Sequence, residues 1–246
     1  MDYFKQFYTD VSTGIHRSDT EEFFAKEAAE KLFHLGRGRN ILDFGCGSAD
    51  LTVYYCRVFD DVVGVDFSEN MLDHARLRAE QQSVANLALI QADNETVWTR
   101  VGDRKFDVVT SSGVVQYLSP EDIDRFTREA LRRLSPDGVI VHFDIPDPRI
   151  YFLTRLGFMR PRPWRWTDLP DTLVRFGKLI ARRGIDAIRR HPTDIMGYQH
   201  HPSVFSGIGA SNRLRIDIVS SVYYDYRYHV MMRRADPADE SRPDHG

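Results

Sequence analysis

The sequence predicts an α/β protein built on a doubly wound parallel sheet, and three observations carry that prediction. Five short apolar segments alternate with helical patterns between residues 40 and 143, which implies parallel strands covered on both faces. Crossovers between parallel strands are right-handed, so the winding narrows to one sheet with helices on both sides. The first apolar segment, Ile41-Leu42-Asp43-Phe44, runs into Gly45-Cys46-Gly47, the kind of strand-to-helix turn that brings main chain close to a nucleotide.

The elements follow in order. Residues 3–13 are aromatic and polar without clean periodicity. Ser18 and Asp19 are expected to cap a helix reaching Leu35, with Phe24, Ala28 and Leu32 on one face and Gly36 at its end. Residues 40–44 read as the first strand, and Leu51, Tyr55 and Val58 mark the helix after it. Strand and helix then recur at 61–66, 69–82, 87–92 and 106–111. Ser119-Pro120-Glu121-Asp122 opens a well-capped helix carrying Ile123, Phe126, Ala130, Leu131 and Leu134 at helical spacing. Asp137-Gly138 is expected to turn into a fifth strand at 139–143. Beyond 145 the rhythm breaks into a long, arginine- and proline-rich stretch with partial helical character. Two alternating segments, 213–220 and 222–233, predict a closing hairpin at the sheet edge. In the second, Tyr224, Tyr226, Tyr228, Val230 and Met232 share one face, and Asp225, Arg227, His229 and Arg233 share the polar one.

Composition narrows the class. A chain of 246 residues suits one large domain with additions. A formal charge of −3 gives no global pull toward nucleic acid or anionic membrane. Two cysteines, Cys46 and Cys56, make no disulfide framework and no zinc spacing, and they suit a reducing compartment. No apolar run reaches the roughly 18 residues of a membrane span, and MDYFKQFYTD has no secretory pattern. A cytoplasmic location is expected.

The glycine turn selects among nucleotides. A dinucleotide fingerprint wants a third glycine where Asp50 stands, and a carboxylate there opposes a pyrophosphate. A P-loop fails because no Gly-Lys-Ser/Thr follows. ILDFGCGSAD instead resembles the first motif of class I S-adenosylmethionine (SAM)-dependent methyltransferases. VVGVDFSENML, LIQADNETV, KFDVVTSSGVVQYL and LRRLSPDGVIVHFDIP follow in that family's order. The resemblance covers residues from about 30 to 233.

The resemblance implies a seven-stranded, Rossmann-like methyltransferase fold with strand order 3-2-1-4-5-7-6, the last strand antiparallel, and a helical insertion between strands 5 and 6. It implies SAM as cofactor and S-adenosylhomocysteine as product. The cofactor residues it suggests are Asp43, Gly45, Cys46 and Gly47 at the turn and Asp66 on the ribose hydroxyls. Phe67 is then expected on the adenine, Met71 nearby, and Asp93 with Asn94 or Glu95 at the adenine amino group. Ser111 and Ser112 end strand four. Glycines let main chain approach such a ligand, and an acid, Asp43 or Asp50, suits its sulfonium and ammonium directly or through water. By the same resemblance, residues 1–36 form a helical segment covering the cofactor site and 37–234 form the SAM-binding domain. Within it, 146–196 is an insertion or lid over the acceptor site, and 235–246 is a disordered tail.

Methyl transfer is an in-line displacement driven largely by positioning, and a general base matters only when the acceptor must lose a proton. His200 and His201, before a helix, are the first candidates for that role. They also read as helix-entry residues packing on the sheet. Asp144 lies near the end of strand five, as a base or as a cap. His142 lies inside that strand, as a base or as a satisfied core residue. Gln116 and Tyr117 can hydrogen-bond an acceptor but are poor bases. Thr110-Ser111-Ser112-Gly113 offers no carboxylate cluster, so no metal is expected.

Residues 155–190 hold ten Arg or Lys against three acids, with aromatics interleaved in RPRPWRW. They read as a lid for an anionic acceptor, as a solvated helix face, or as a contact with nucleic acid or with lipid-linked glycan at a membrane surface. A looser resemblance, resting on stretches such as residues 223–229, is to small-molecule and sugar methyltransferases of polysaccharide and secondary-metabolite pathways. It implies methylation of a hydroxyl on a small molecule, sugar or glycan. The alternatives are N-methylation of an amino sugar or small amine, and a non-catalytic SAM-binding regulatory or partner subunit. The expected partner is that acceptor; the charge balance argues against nucleic acid, no membrane span is expected, and a homodimer is compatible.

Overall fold

The computed structural model describes residues 20–156, 158, 166–189 and 197–235. Its centre is a sheet of β1 (Asn40–Phe44), β2 (Asp61–Asp66), β3 (Leu87–Gln91), β4 (Phe106–Ser112), β5 (Leu134–Pro146), β6 (Leu214–Ser220) and β7 (Arg227–Arg234). The spatial order is β3-β2-β1-β4-β5-β7-β6. β1 to β5 pair in parallel, and β7 runs antiparallel to both β5 and β6. The expected seven-stranded order and reversed last strand are therefore present.

Eight helices are described: α1 (Glu21–Leu35), α2 (Thr52–Tyr55), α3 (Glu69–Gln81), α4 (Val97–Val101), α5 (Pro120–Arg133), α6 (Pro148–Leu156), α7 (Leu169–Arg189) and α8 (Pro202–Asn212). Short 3-10 turns lie at Val115–Tyr117 and Trp166–Asp168. Local sequence explains the best-defined starts. Ser119 Oγ accepts the Asp122 N–H at 3.1 Å with Pro120 in the first turn of α5, and Ser68 Oγ accepts the Met71 N–H at 3.3 Å to begin α3. α1 is capped by Thr20, whose Oγ1 accepts the Phe23 N–H; the expected caps Ser18 and Asp19 lie outside the described residues, as does most of the predicted 1–36 segment before α1.

Both faces of the sheet are apolar and covered. Phe44, Trp98, Phe126 and Phe205 pack on one side, under α4, α5 and α8. Phe126 has its ring centroid 4.8 Å from Phe44 and 4.9 Å from Trp98. Ala28, Leu35, Tyr55 and Phe143 pack on the other side, beneath α1 and α2.

Three details differ from the sequence reading. The closing strand begins at Arg227, not at 222, and Tyr223 and Tyr224 instead pack edge-on against Phe23 of α1. β7 lies between β5 and β6, as the expected order has it, and it is buried on both sides through Met232; Arg227 and His229, expected on a polar face, therefore lie inside rather than facing solvent. β5 begins at Leu134: Phe106 pairs with Leu134 and Val108 already with Val139, so Asp137-Gly138 lies within an irregularity of the strand.

A β-bulge matters most for the site. His142 pairs with Val230 but Ile145 pairs with Tyr228, three residues on β5 against two on β7. Asp144 takes φ +60° in this bulge, uncommon for a residue with a Cβ. Strict alternation puts residues 142 and 144 on one face; the extra residue separates them. His142 lies beside Phe126 and Phe205, while Asp144 reaches Lys31 of α1 on the opposite side.

Candidate active site

The turn after β1 has both glycines at positive φ, +76° at Gly45 and +56° at Gly47. A Cβ on Gly45 would overlap Val114 after β4, whereas one on Gly47 would meet nothing within 4 Å. The turn is pinned to β2: the Gly45 and Cys46 N–H groups donate to the Val65 carbonyl at 2.7 and 3.0 Å. Asp66, at the β2 tip and 7% exposed, accepts the Gly47 N–H through Oδ2 and the Ser68 N–H through Oδ1, both at 2.9 Å. Burial raises its pKa, opposed by main-chain hydrogen bonds from Ser68, Gly47 and Phe67. Each carboxylate oxygen can accept two hydrogen bonds, so these contacts leave acceptor capacity at the turn.

The other acids of this motif are engaged. Asp43 accepts a 2.6 Å hydrogen bond from Thr52 Oγ1, tying β1 to the start of α2. Asp50 lies 2.6 Å from Arg78 Nη2, an ion-pair distance without hydrogen-bond alignment, and Arg78 also reaches Glu21 of α1 at 2.8 Å. Asp50 thus already faces a cation. Burial pushes the Cys46 thiol well up and Cys56 to about 12, so neither is a ready nucleophile.

At the β3 tip, Asp93 Oδ1 accepts the Glu95 and Thr96 N–H groups and the Thr96 hydroxyl, the last at 2.8 Å. Asn94 is buried, and its Oδ1 has no hydrogen-bond partner among the described residues. Ser48 Oγ is buried and unpartnered in the same way. Ser48, inside the glycine motif, escaped the sequence reading because a serine opening a helix looks like an ordinary cap. Phe67 is half-buried, with its carbonyl accepting from Gln91 Nε2 at 3.2 Å, and Met71 is buried at the start of α3.

The ends of β4 and β5 carry two serine pairs. Ser111 Oγ lies 2.8 Å from His142 Nδ1, and Ser112 Oγ donates to Asp144 Oδ2 at 2.7 Å. His142 is 1% exposed and its Nε2 has no partner among the described residues. Burial first, then the neighbouring His200, lowers its pKa from 6.5 to about 3. The unfolded state therefore binds a proton that the folded state refuses between about pH 3 and 6.5. Stability should fall as pH drops through that window, by up to about 1.4 kcal/mol per unit. His34 and His200 shift the same way through burial, so His142→Gln is expected to flatten part of the slope. Urea titrations at pH 7.5 and pH 5 check this; parallel losses in variant and wild type would contradict it.

Asp144 belongs to a buried charged network that the sequence reading did not find. Lys31 Nζ lies 2.8 Å from Asp144 Oδ2 and 2.7 Å from Glu27 Oε1, with both α1 side chains fully buried. The Asp144 N–H donates to His229 Nδ1 at 3.1 Å, so His229 carries its proton on Nε2 and donates to Glu30 Oε1 at 3.2 Å. Arg227 Nη1 donates to the Asp144 carbonyl at 2.8 Å. The available signal was the α1 stripe Phe24, Glu27, Ala28, Lys31 and Leu35, which places two charges in the buried face.

The paired histidines after the insertion have structural contacts. His200 is buried, and its Nε2 donates to the Val115 and Leu118 carbonyls at 3.0 and 3.1 Å. Tyr228 Oη donates to the His200 carbonyl at 2.7 Å. His201 caps α8, its Nδ1 accepting the Ser203 N–H at 3.2 Å. Gly197-Tyr198 leans on the same 3-10 turn, the Tyr198 N–H donating to the Gln116 carbonyl at 2.6 Å. Gln116 is buried with Oε1 unpartnered, and Tyr117 beside it is half-buried. No metal-ligand cluster occurs among the described residues.

Glycine turn, Asp66, Asn94, Ser111, Ser112 and Gln116 all lie at or just beyond the carboxyl ends of parallel strands, where open α/β sheets bind ligands. Comparison with known proteins adds to this geometry. A family model described as a methyltransferase domain matches residues 41–138. A curated demethylmenaquinone methyltransferase of Listeria welshimeri is 31% identical over 123 residues, covering 49% of this chain and 50% of the relative. One of Lactiplantibacillus plantarum is 25% identical over 207 residues, covering 82% and 80%. The chain spans about half the length of the Listeria relatives it matches. Among solved structures, Haemonchus contortus phosphoethanolamine N-methyltransferase 1, in complex with phosphoethanolamine and S-adenosylhomocysteine, superposes with a TM-score of 0.67 at 15% identity. That match covers 98% of this chain and 50% of the other, and it is a likeness of fold.

Proposed function

The chain carries a methyltransferase domain on the fold of class I SAM-dependent methyltransferases, and from that premise we propose that it moves a methyl group from SAM to a hydroxyl of a small molecule, sugar or glycan. The observation that carries this reading is the Asp66-braced glycine turn. Its open side at Gly47, the spare acceptor capacity of Asp66 and the orphaned acceptors Ser48 Oγ and Asn94 Oδ1 suit the ribose, adenine and amino-acid parts of that cofactor. When bound, it supplies an electrophilic methyl on a sulfonium. In this proposal Asp66 holds the ribose, Asp93 and Asn94 the adenine edge, Phe67 and Met71 its faces, and Ser111, Ser112 and Cys46 complete the cradle. The acceptor side is formed by Gln116 and His142, with 146–196 as its cover, while Asp144, on the other side of the sheet, stays in its network with Lys31.

Engaged nitrogens favour positioning roles for His200 and His201, and they move the first choice for an acceptor contact to His142 Nε2. A histidine with a pKa of about 3 is a weak proton acceptor, which favours an acceptor that is itself acidic or needs no base. That same point supports a second reading, N-methylation of an amine, in keeping with the phosphoethanolamine N-methyltransferase among the fold neighbours. The names of the curated relatives add a quinone-derived ring to the acceptors worth testing. A cytoplasmic location belongs to the proposal; no helix among the described residues is long and apolar enough to cross a membrane.

The test is S-adenosylhomocysteine release with SAM and a panel of sugars, phenols, reduced quinones and amines. Turnover on hydroxyl compounds supports the first reading and turnover on amines the second, whereas tight binding without turnover on any of them favours a SAM-binding subunit. Asp66→Ala should weaken SAM binding by about 1–3 kcal/mol, roughly 5- to 150-fold in Kd. Calorimetry giving equal affinity for variant and wild type would sink the ribose assignment.

A further inference from the structure

An apolar surface lies outside the site described above. Leu169, Leu173, Phe176 and Ile180 recur at i, i+4, i+7 and i+11 along α7, one helical stripe, and all four are exposed, Leu173 at 61% and Ile180 at 55%. Trp166, in the turn leading into α7, is 80% exposed, and Phe158 is exposed as well. A surface apolar stripe with an aromatic at its end is more than the scattered hydrophobics of an ordinary surface.

The charge around the stripe identifies what it meets. Residues 155–190 carry ten basic and three acidic side chains, a net +7, and with the whole chain at −3 the remainder stands at −10. Positive charge is thus concentrated in the same stretch of sequence as the apolar stripe. Within α7, Arg175 and Lys178 fall by helical spacing on the side away from Leu169, Leu173, Phe176 and Ile180. A helix with Leu and Phe on one side, Arg and Lys on the other and tryptophan at its entry has the composition that lies in the plane of a lipid interface. A protein partner for such a face would need its own anionic rim, whereas an anionic leaflet supplies both the apolar layer and the charge.

We propose that α7 docks this protein on anionic phospholipid membranes, with the Leu173–Phe176–Ile180 stripe entering the headgroup–acyl boundary and Trp166 at its margin. The helix follows β5 and α6, so the docked surface belongs to the segment on the carboxyl side of the sheet. The docking does not depend on the transferase reading.

The experiment is co-sedimentation of the full chain with phosphatidylcholine vesicles, with and without a phosphatidylglycerol fraction. Binding is expected on the anionic vesicles, weakening as salt rises. Leu173→Ser combined with Phe176→Ser should bind roughly tenfold more weakly while its far-UV spectrum stays that of the wild type. Should that variant fold poorly, Arg175→Glu with Lys178→Glu is a second route, expected to abolish the preference for anionic vesicles. Absence of wild-type binding, or binding equal in wild type and both variants, overturns the proposal. So does a concentration-dependent dimer in sedimentation velocity that the serine variant abolishes without any vesicle binding, since the stripe would then join two copies.

Discussion

Lys31→Met is expected to lower the unfolding free energy by roughly 3–5 kcal/mol, because it leaves buried carboxylates without their cation. Lys31 is fully buried between Glu27 at 2.7 Å and Asp144 at 2.8 Å, and its ammonium lies 5.4 Å from the centre of the Phe143 ring. Methionine keeps the volume and the packing on Phe143 but removes the charge, so the loss reports electrostatics rather than a cavity. Asp144 should suffer most, since its φ of +60° is held by bonds to Lys31, Ser112, His229 and Arg227. Urea unfolding checks the prediction. Adding Glu27→Gln and Asp144→Asn to Lys31→Met should recover much of the loss; no recovery would mean that Lys31 acts through shape.

Gly197→Ala is expected to cost about 2–4 kcal/mol and to free the segment 197–201 from the body. Gly197 has φ +62°, and a Cβ there would overlap the Gln116 carbonyl oxygen. That oxygen belongs to main chain and accepts the Tyr198 N–H, so it cannot rotate away as a side chain would. Displacement would also withdraw His200 from the Val115 and Leu118 carbonyls. In the proposed enzyme, acceptor KM should rise more than SAM affinity falls, because the displaced Gln116 lies on the proposed acceptor side. Limited proteolysis near residue 197 and thermal melting measure the first effect; an unchanged cleavage rate and melting temperature would refute it.

Much of the scaffold was legible because its signals are local and periodic. The alternation of apolar runs with capped helices gives β1 to β5, and the glycine turn with Asp66 nineteen residues beyond Gly47 gives the cradle. What stayed hidden depends on contacts distant in sequence. The bulge at Asp144 adds one residue without changing composition, so nothing in the sequence separates the faces of residues 142 and 144. β7 sits between β5 and β6 as expected, but its partners across both faces were not legible: Arg227 and His229, polar side chains that seemed to face water, are inside, matched to a main-chain carbonyl and to Glu30. His200 drew attention as a titratable group before a helix, but its ring proton holds a 3-10 turn.

The insertion of β7 has a consequence for biosynthesis. β5 lacks its second neighbour until Arg227–Arg234 emerges, and α1 lacks the Glu30–His229 link until the same moment. On the ribosome, then, the opening helix and the central strand must wait for β7, which follows both of them by many residues. Emergence of β7 from the exit tunnel, rather than completion of the nucleotide half, is what lets these elements reach their mature contacts.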